Sequence, residues 1–317
     1  MTRATPTLPG KLMCLICAFG PFSLVPSAAD TMNGFTLDDA LVPPEQILHG
    51  GPGRDGIPSL DEPRYVAAKE AHFLKANDRV LGIDVDGVAR AYPISILNYH
   101  EIVNDELGGD AVVITFCPLC GSGMAFRSVV NEQRLEFGVS GLLYNSDVLL
   151  YDRQTGSLWS QIRKMAVTGP LKGVRLDALP LSHTTWRDWQ SRHPETQVLS
   201  TETGFRRNYA VDPYPGYGRD RKLYFPVARE SSQYSRKSLV LGLEIQRRFK
   251  AYPFEELENG PAQFADEFAG APITVEYDRR NQSARVLDQD GREVPTLIAF
   301  WFAWYAFHPD TEIYTPH

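Results

Sequence analysis

Val80-Leu81-Gly82, followed by Ala91-Tyr92-Pro93 and Leu97, recurs as Val240-Leu241-Gly242, Ala251-Tyr252-Pro253 and Leu257, always 160 residues further on. Self-similarity at a fixed offset is the sequence signature of a repeated structural unit. Conservative matches fill the intervals, Asp84 with Glu244, Val85 with Ile245 and Arg90 with Lys250, and Asp105-Glu106 returns as Asp266-Glu267 at an offset of 161. A second block closes each unit: Trp186, Trp189, His193-Pro194 and Thr196 reappear 115 residues later as Trp301, Trp304, His308-Pro309 and Thr311. The chain therefore reads as two copies of one module, with about 45 extra residues inserted in the first.

Each copy reads as paired strands and then a helix. Asp86-Gly87 is a hairpin turn signal between Arg79 to Asp84 and Val88 to Tyr92, and Val112 to Phe116 is an apolar run suited to a buried strand. Helices around Thr185 to Arg192 and Leu297 to Phe307 stop at His-Pro, because proline lacks the N–H that the next turn needs and restricts the residue before it. The expected fold is α+β and β-rich, with mainly antiparallel sheets and short helices, built by internal duplication. Its expected parts are a signal peptide (1–29), an N-terminal extension (30–64), a first module (65–200), a Tyr/Gly/Pro-rich connector (201–224) that either lids a site or simply crosses between the copies, and a second module (225–317).

The signal peptide is read from Arg3 and Lys11 ahead of an apolar stretch from Leu12 to Val25, with Ser27-Ala28-Ala29 as a small-residue cleavage site. Gly20 and Pro21 interrupt that stretch, which is too short to span a bilayer comfortably. Cleavage after Ala29 and a periplasmic or secreted location are expected, with no transmembrane segment in the mature chain. The whole chain of 317 residues carries a formal charge of −7, and about −9 once Arg3 and Lys11 are removed. Dispersed acidic charge argues against nucleic acid as the partner, since phosphates want a basic face. A small-molecule or protein substrate is the remaining expectation.

Export would leave Cys117 and Cys120 as the mature cysteines, because Cys14 and Cys17 lie in the peptide. In Cys117-Pro118-Leu119-Cys120-Gly121 the proline presets a turn and the glycine tolerates positive φ, so two sulfurs can face one metal ion. One such knuckle supplies two ligands where a closed zinc site needs four; with an open position, zinc or copper would suit it. His100 is the candidate third metal ligand and Glu101 the candidate catalytic base or orienting group, because His100-Glu101 aligns with Gly260-Pro261 and so belongs to the first copy, like the thiols. Two other readings stand beside metal binding. A thiol-disulfide oxidoreductase would use the pair as a redox centre, although Gly121-Ser122-Gly123 is poor material for the helix that such chemistry needs. A non-catalytic binding protein would simply keep a Cys117–Cys120 disulfide.

The insertion supplies a candidate pocket: Ser140, Asn145, Asp147, Asp152, Arg153 and Trp159 concentrate hydrogen-bonding groups around Val148 to Leu150. The same density of Asn, Asp and Ser also suits two polar turns. The zinc-protease pattern His-Glu-x-x-His is absent, and Ser140 lacks the Gly-x-Ser-x-Gly elbow of serine hydrolases. Gly51-Pro52-Gly53-Arg54-Asp55-Gly56 fits the dinucleotide glycine pattern without its strand–turn–helix context.

Several ordered blocks together resemble a known family. Asp61-Glu62-Pro63-Arg64, His100-Glu101 with Asn104-Asp105, Cys117-Pro118-Leu119-Cys120, Phe137-Gly138-Val139-Ser140-Gly141, Tyr151-Asp152-Arg153 with Thr155, Ser157 and Trp159, and Trp301-Phe302-Ala303-Trp304 are similar to the bacterial and archaeal family called domain of unknown function 3179. The resemblance implies one coherent protein and brings no reaction with it. The site expectation therefore rests on residue chemistry: a transition metal at Cys117, Cys120 and His100, with Glu101 moving a proton.

Overall fold

The computed structural model describes residues 1, 2, 4 and 31–316, so the expected signal peptide lies almost wholly outside the described residues. Among the described residues, five mainly antiparallel sheets of three to five strands form a five-bladed propeller arrangement, beside two two-stranded hairpins and four short α-helices. Among the described residues, no helix is long and apolar enough to cross a membrane.

The repeated blocks fold as local units. Arg79–Val85 and Val88–Pro93 form a hairpin around Asp86 and Gly87, both at positive φ (52° and 83°), as a primed two-residue turn requires. The chain then enters helix α1 (Ile94–His100). Ser182–Thr185 later pairs antiparallel with the first strand of this hairpin, and Gln197–Leu199 pairs parallel with the second. Between them lies α2 (Trp186–Arg192). The same order appears in Leu239–Ile245, Arg248–Pro253, α3 (Phe254–Leu257), Thr296–Phe300, α4 (Trp301–Phe307) and the parallel strand Glu312–Ile313.

The recurring residues have structural work that accounts for them. A Cβ on Gly82 would sit 2.3 Å from the Trp189 ring, and one on Gly242 would sit 2.1 Å from the Trp304 ring. Each Trp donates its indole N–H to a matching threonine hydroxyl at 3.0 Å, Trp189 to Thr196 and Trp304 to Thr311. Asp105 accepts from the Tyr92 hydroxyl and from Arg90, and Asp266 accepts from Tyr252 (2.8 Å) and Lys250 (2.6 Å).

The expectation of an α+β fold built from two copies of one module is corrected by the sheets. Ile102–Leu107, Asp110–Cys117 and Ser122–Arg127 form one further blade, and Gln263–Phe268, Ala271–Asp278 and Ser283–Leu287 form another. The stretch read as an insertion lies in a full sheet: Phe137–Tyr144, Asp147–Asp152, Leu158–Ser160 and Met165–Ala166, extended at its edge by Ile47–His49. Nor does each half have its own core. Cys117, Phe126 and Trp159 share one apolar cluster with Val240, Leu297, Trp301 and Trp304. A sheet buries its faces against neighbours, and here the neighbours come from both ends of the chain.

Candidate metal centre

Cys117 ends the strand Asp110–Cys117, and Ser122 opposite it starts the return strand. The amide of Cys120 donates to the carbonyl of Cys117 at 3.2 Å, and Gly121 takes the positive φ (62°) that closes the turn. Both cysteines are buried and unbonded to each other. No helix follows, since Cys120 runs through Gly121 into strand Ser122–Arg127, so the pair lacks the helix N-terminus that would acidify a redox thiol.

A second turn faces the sulfurs. Asn145 and Ser146, at φ 52° and 66°, connect strand Phe137–Tyr144 to strand Asp147–Asp152. The carbonyl of Ser146 accepts from Cys120 at 3.4 Å and from Cys117 at 3.7 Å. Asp147, next in the chain, brings a carboxylate oxygen so close that it and both sulfurs lie within 4.8 Å of one another. Asp147 Oδ2 accepts the amide of Ile162 at 3.1 Å, whereas the buried Oδ1 has no hydrogen-bond partner. The turn is held from outside: Asn145 Oδ1 accepts the amide of Ala228 at 2.8 Å, and Ser146 Oγ lies 3.5 Å from the carbonyl of Phe225.

Burial sets the electrostatics. It pushes the Asp147 carboxyl up to about 7, against the amides of Ile162 and Val148 that favour the charged form. It pushes Glu101 up to about 8, with Asp147 adding to the rise. The Cys117 thiol is raised by burial and Cys120 well raised, first by burial and then by Cys117. Four acidic groups gathered in an apolar setting stay neutral by keeping protons or by sharing a cation. Cys117, Cys120 and Asp147 can hold a metal ion.

His100 lies outside this group. Its Nδ1 pairs with the carbonyl of Pro58 at 2.8 Å and its Nε2 with the Tyr209 hydroxyl at 2.7 Å, so both ring nitrogens are occupied, one by the N-terminal extension and the other by the connector. Glu101, one residue on, takes a left-handed backbone (φ 57°) at the end of α1 and lines a cavity of about 270 Å³ together with Cys117. The rest of that wall is mostly apolar, including Leu119, Val139, Leu143 and Phe225, and Tyr214 and Tyr224 of the connector close it.

Of the candidate pocket residues, Asp147 alone joins the thiols. Ser140 bonds to the carbonyl of Leu149 and accepts the amide of Leu142 at a bulge in its strand. Asp152 accepts from the Thr155 amide (2.6 Å) and the Trp159 indole (2.9 Å), fixing a turn and a core side chain. Arg153 pairs with Asp55 and Asp61. Asn145 anchors its own turn. Sequence reasoning missed the carbonyl of Ser146, and it read the Tyr-rich connector as a lid or a plain crossover without assigning Tyr214 and Tyr224 to a wall beside the thiols; the two consecutive positive-φ residues ahead of Asp147 are a signal visible only as Asn145-Ser146, a modest turn dipeptide.

The sequence profile of the family described as "Protein of unknown function (DUF3179)" matches residues 54–311. The chain belongs to this family. The matched stretch contains the cysteine turn, Glu101, Asp147 and the connector. No curated protein and no solved structure matches the chain.

Proposed function

We propose that this protein is a metal-dependent enzyme whose zinc or copper ion is held by Cys117, Cys120 and Asp147, acting on a small, uncharged, largely apolar molecule. The observation that carries the reading is a carboxylate oxygen of the fully buried Asp147 within 4.8 Å of two free thiols, on a side chain whose Oδ1 has no other protein group to bond. A buried polar atom without a partner calls for a reason, and a ligand role supplies one. Three protein ligands leave a position open, as in catalytic rather than structural zinc sites. A metal bound there supplies Lewis-acid polarisation or an acidified water. Glu101 lines the adjoining cavity, placed to move a proton at its carboxyl oxygen. Among the described residues that line the cavity there is no Lys, Arg or His, which speaks against an anionic substrate. Export of the mature chain belongs to this proposal.

The test is metal content by mass spectrometry on protein purified without chelator or affinity-tag metal, for wild type, Cys117→Ser, Cys120→Ser and Asp147→Asn. Near one ion per wild-type chain, lost in all three variants, supports the reading. Wild type free of metal and unable to take up zinc or copper sinks it.

A further inference from the structure

We infer that the open edge of strand Gln263–Phe268, continued by that of Glu312–Ile313, binds an extended peptide segment of a partner protein through main-chain hydrogen bonds. The ground is a matching edge in the same chain that is already occupied.

Strands Ile102–Leu107 and Gln263–Phe268 carry the matched Asp105-Glu106 and Asp266-Glu267, and each pairs antiparallel with the strand that follows it, Leu107 opposite Asp110 and Phe268 opposite Ala271. The outer edge of the first is covered. The Leu60 amide donates to the carbonyl of Ile102 and the Asn104 amide to the carbonyl of Leu60, both at 2.9 Å. Further along the same stretch, Tyr65–Ala67 pairs antiparallel with Gln197–Leu199, and the Ser200 amide donates to the carbonyl of Arg64 at 2.8 Å. Residues 60–67 thus close two sheet edges in one run. Beneath them Ile102, Val103, Asn104, Val198, Leu199 and Ser200 are all buried.

The corresponding edges nearer the C-terminus carry no such stretch among the described residues. Gln263–Phe268 ends its three-stranded sheet, and Glu312–Ile313 ends its four-stranded one. The matching positions are uncovered: Gln263, Ala265 and Thr315 are exposed, and Phe264, Ile313 and Tyr314 are half-buried. The Tyr277 amide donates to the carbonyl of Ala262 at 2.8 Å, which fixes the alternation along the strand. Phe264 and Asp266 turn their backbone groups to the neighbouring strand, and Gln263 and Ala265 turn theirs outward, as Ile102 and Asn104 do. A row of outward donors and acceptors is a template for another strand.

Three features define the occupant. One of its residues must offer an amide to the Gln263 carbonyl and a carbonyl to the Ala265 amide, as Leu60 does at the covered edge, and proline has no amide to offer. Glu267 needs no partner, because its amide already donates to Asp266 Oδ1 at 2.8 Å, just as that of Glu106 donates to Asp105 at 2.7 Å. The adjoining surface is apolar: Phe264 and Tyr314 stack with ring centroids 4.6 Å apart, and this calls for an aliphatic side chain. Tyr314 also stands 5.5 Å from Tyr252, where at the covered edge Tyr65 of the segment stands 6.3 Å from Tyr92, so the partner residue arriving there must be small. Main-chain bonds give such a peptide affinity, and these side-chain demands give it specificity.

The experiment is fluorescence anisotropy of a labelled synthetic peptide, residues 58–69 of this chain carrying Tyr65→Ala, with full-length wild type and Ala265→Pro, beside sedimentation of each protein alone. Proline at 265 removes the outward amide and spares the bonds to Ala271–Asp278, and an edge strand tolerates it. A second peptide, N-methylated at Leu60, lacks the donor for the Gln263 carbonyl and decides the matter should Ala265→Pro fail to fold. Expected are saturable binding to wild type and binding about 10-fold weaker or less for either change. No binding of the first peptide at about 1 mM would overturn the inference. Binding indifferent to Ala265→Pro would overturn it too, by placing the peptide at another edge. A wild-type dimer that Ala265→Pro dissolves would give the edge to a second copy of this chain and overturn the partner-peptide assignment.

Discussion

His100 and Glu101 are neighbours in sequence with separate tasks: His100 Nε2 holds the Tyr209 hydroxyl at 2.7 Å, while Glu101 turns through φ 57° into the cavity beside Cys117. The His100 contact anchors the connector whose later tyrosines close the cavity. His100→Ala is therefore expected to keep one metal per chain and to lose about 1–3 kcal/mol of stability, the cost of stranding buried partners. Metal analysis and denaturant unfolding of the same preparation check this. Loss of the metal would make His100 a ligand after all.

Asp147→Asn keeps the shape of the side chain and its acceptor for the Ile162 amide, and removes the anionic oxygen beside the sulfurs. The metal-free variant should fold. Zinc at 100 times its dissociation constant should stabilise wild type by about 2.7 kcal/mol, and the variant by much less. Thermal unfolding with and without zinc reads the difference directly.

Gly82→Ala and Gly242→Ala place a methyl 2.3 Å from Trp189 and 2.1 Å from Trp304. Neither ring is free to retreat, since each is pinned through its N–H to a threonine. Overpacking of this kind costs ~1–3 kcal/mol or more, and each variant should unfold at lower urea than wild type. A midpoint unchanged in either would show that the Trp can shift, contrary to the packing.

His308 is stacked on Phe249, 3.8 Å between ring centroids, and burial lowers its pKa to about 3, with Lys164, Arg163 and Arg175 adding to the shift. The unfolded chain takes up a proton near pH 6.5, and the folded chain does so only near 3. Stability is therefore full above about 6.5 and falls as pH drops toward 3, by up to ~1.4 kcal/mol per pH unit. His308→Phe should flatten that part of the curve, measured by urea unfolding at pH 7 and pH 5. Identical slopes in the two proteins would place the acid sensitivity elsewhere.

Local features were legible wherever neighbouring residues settle the conformation. Asp86-Gly87 specifies a primed turn, His193-Pro194 and His308-Pro309 stop their helices, and Cys117 to Gly121 forms the tight turn that its proline and glycine encode. Family membership was legible too, from blocks spread along most of the chain. The duplicated-module reading failed because the repeat marks blades, whose edge strands come from distant sequence. Ser182–Thr185 returns to Arg79–Val85 only after two other sheets have been built.

The sequence by itself determined the turns, the strand hairpins, the Trp–Gly contacts' residue types and the pairing of two thiols at one turn, since backbone sterics and three-residue spacings act over a few bonds. Only the tertiary structure decided that Asp147 rather than His100 meets those thiols, that Glu101 faces the cavity, and that Tyr214 and Tyr224 line it. Those choices depend on how five sheets close against one another, and ring closure is set by burial shared between residues about 30 to 180 apart in the chain.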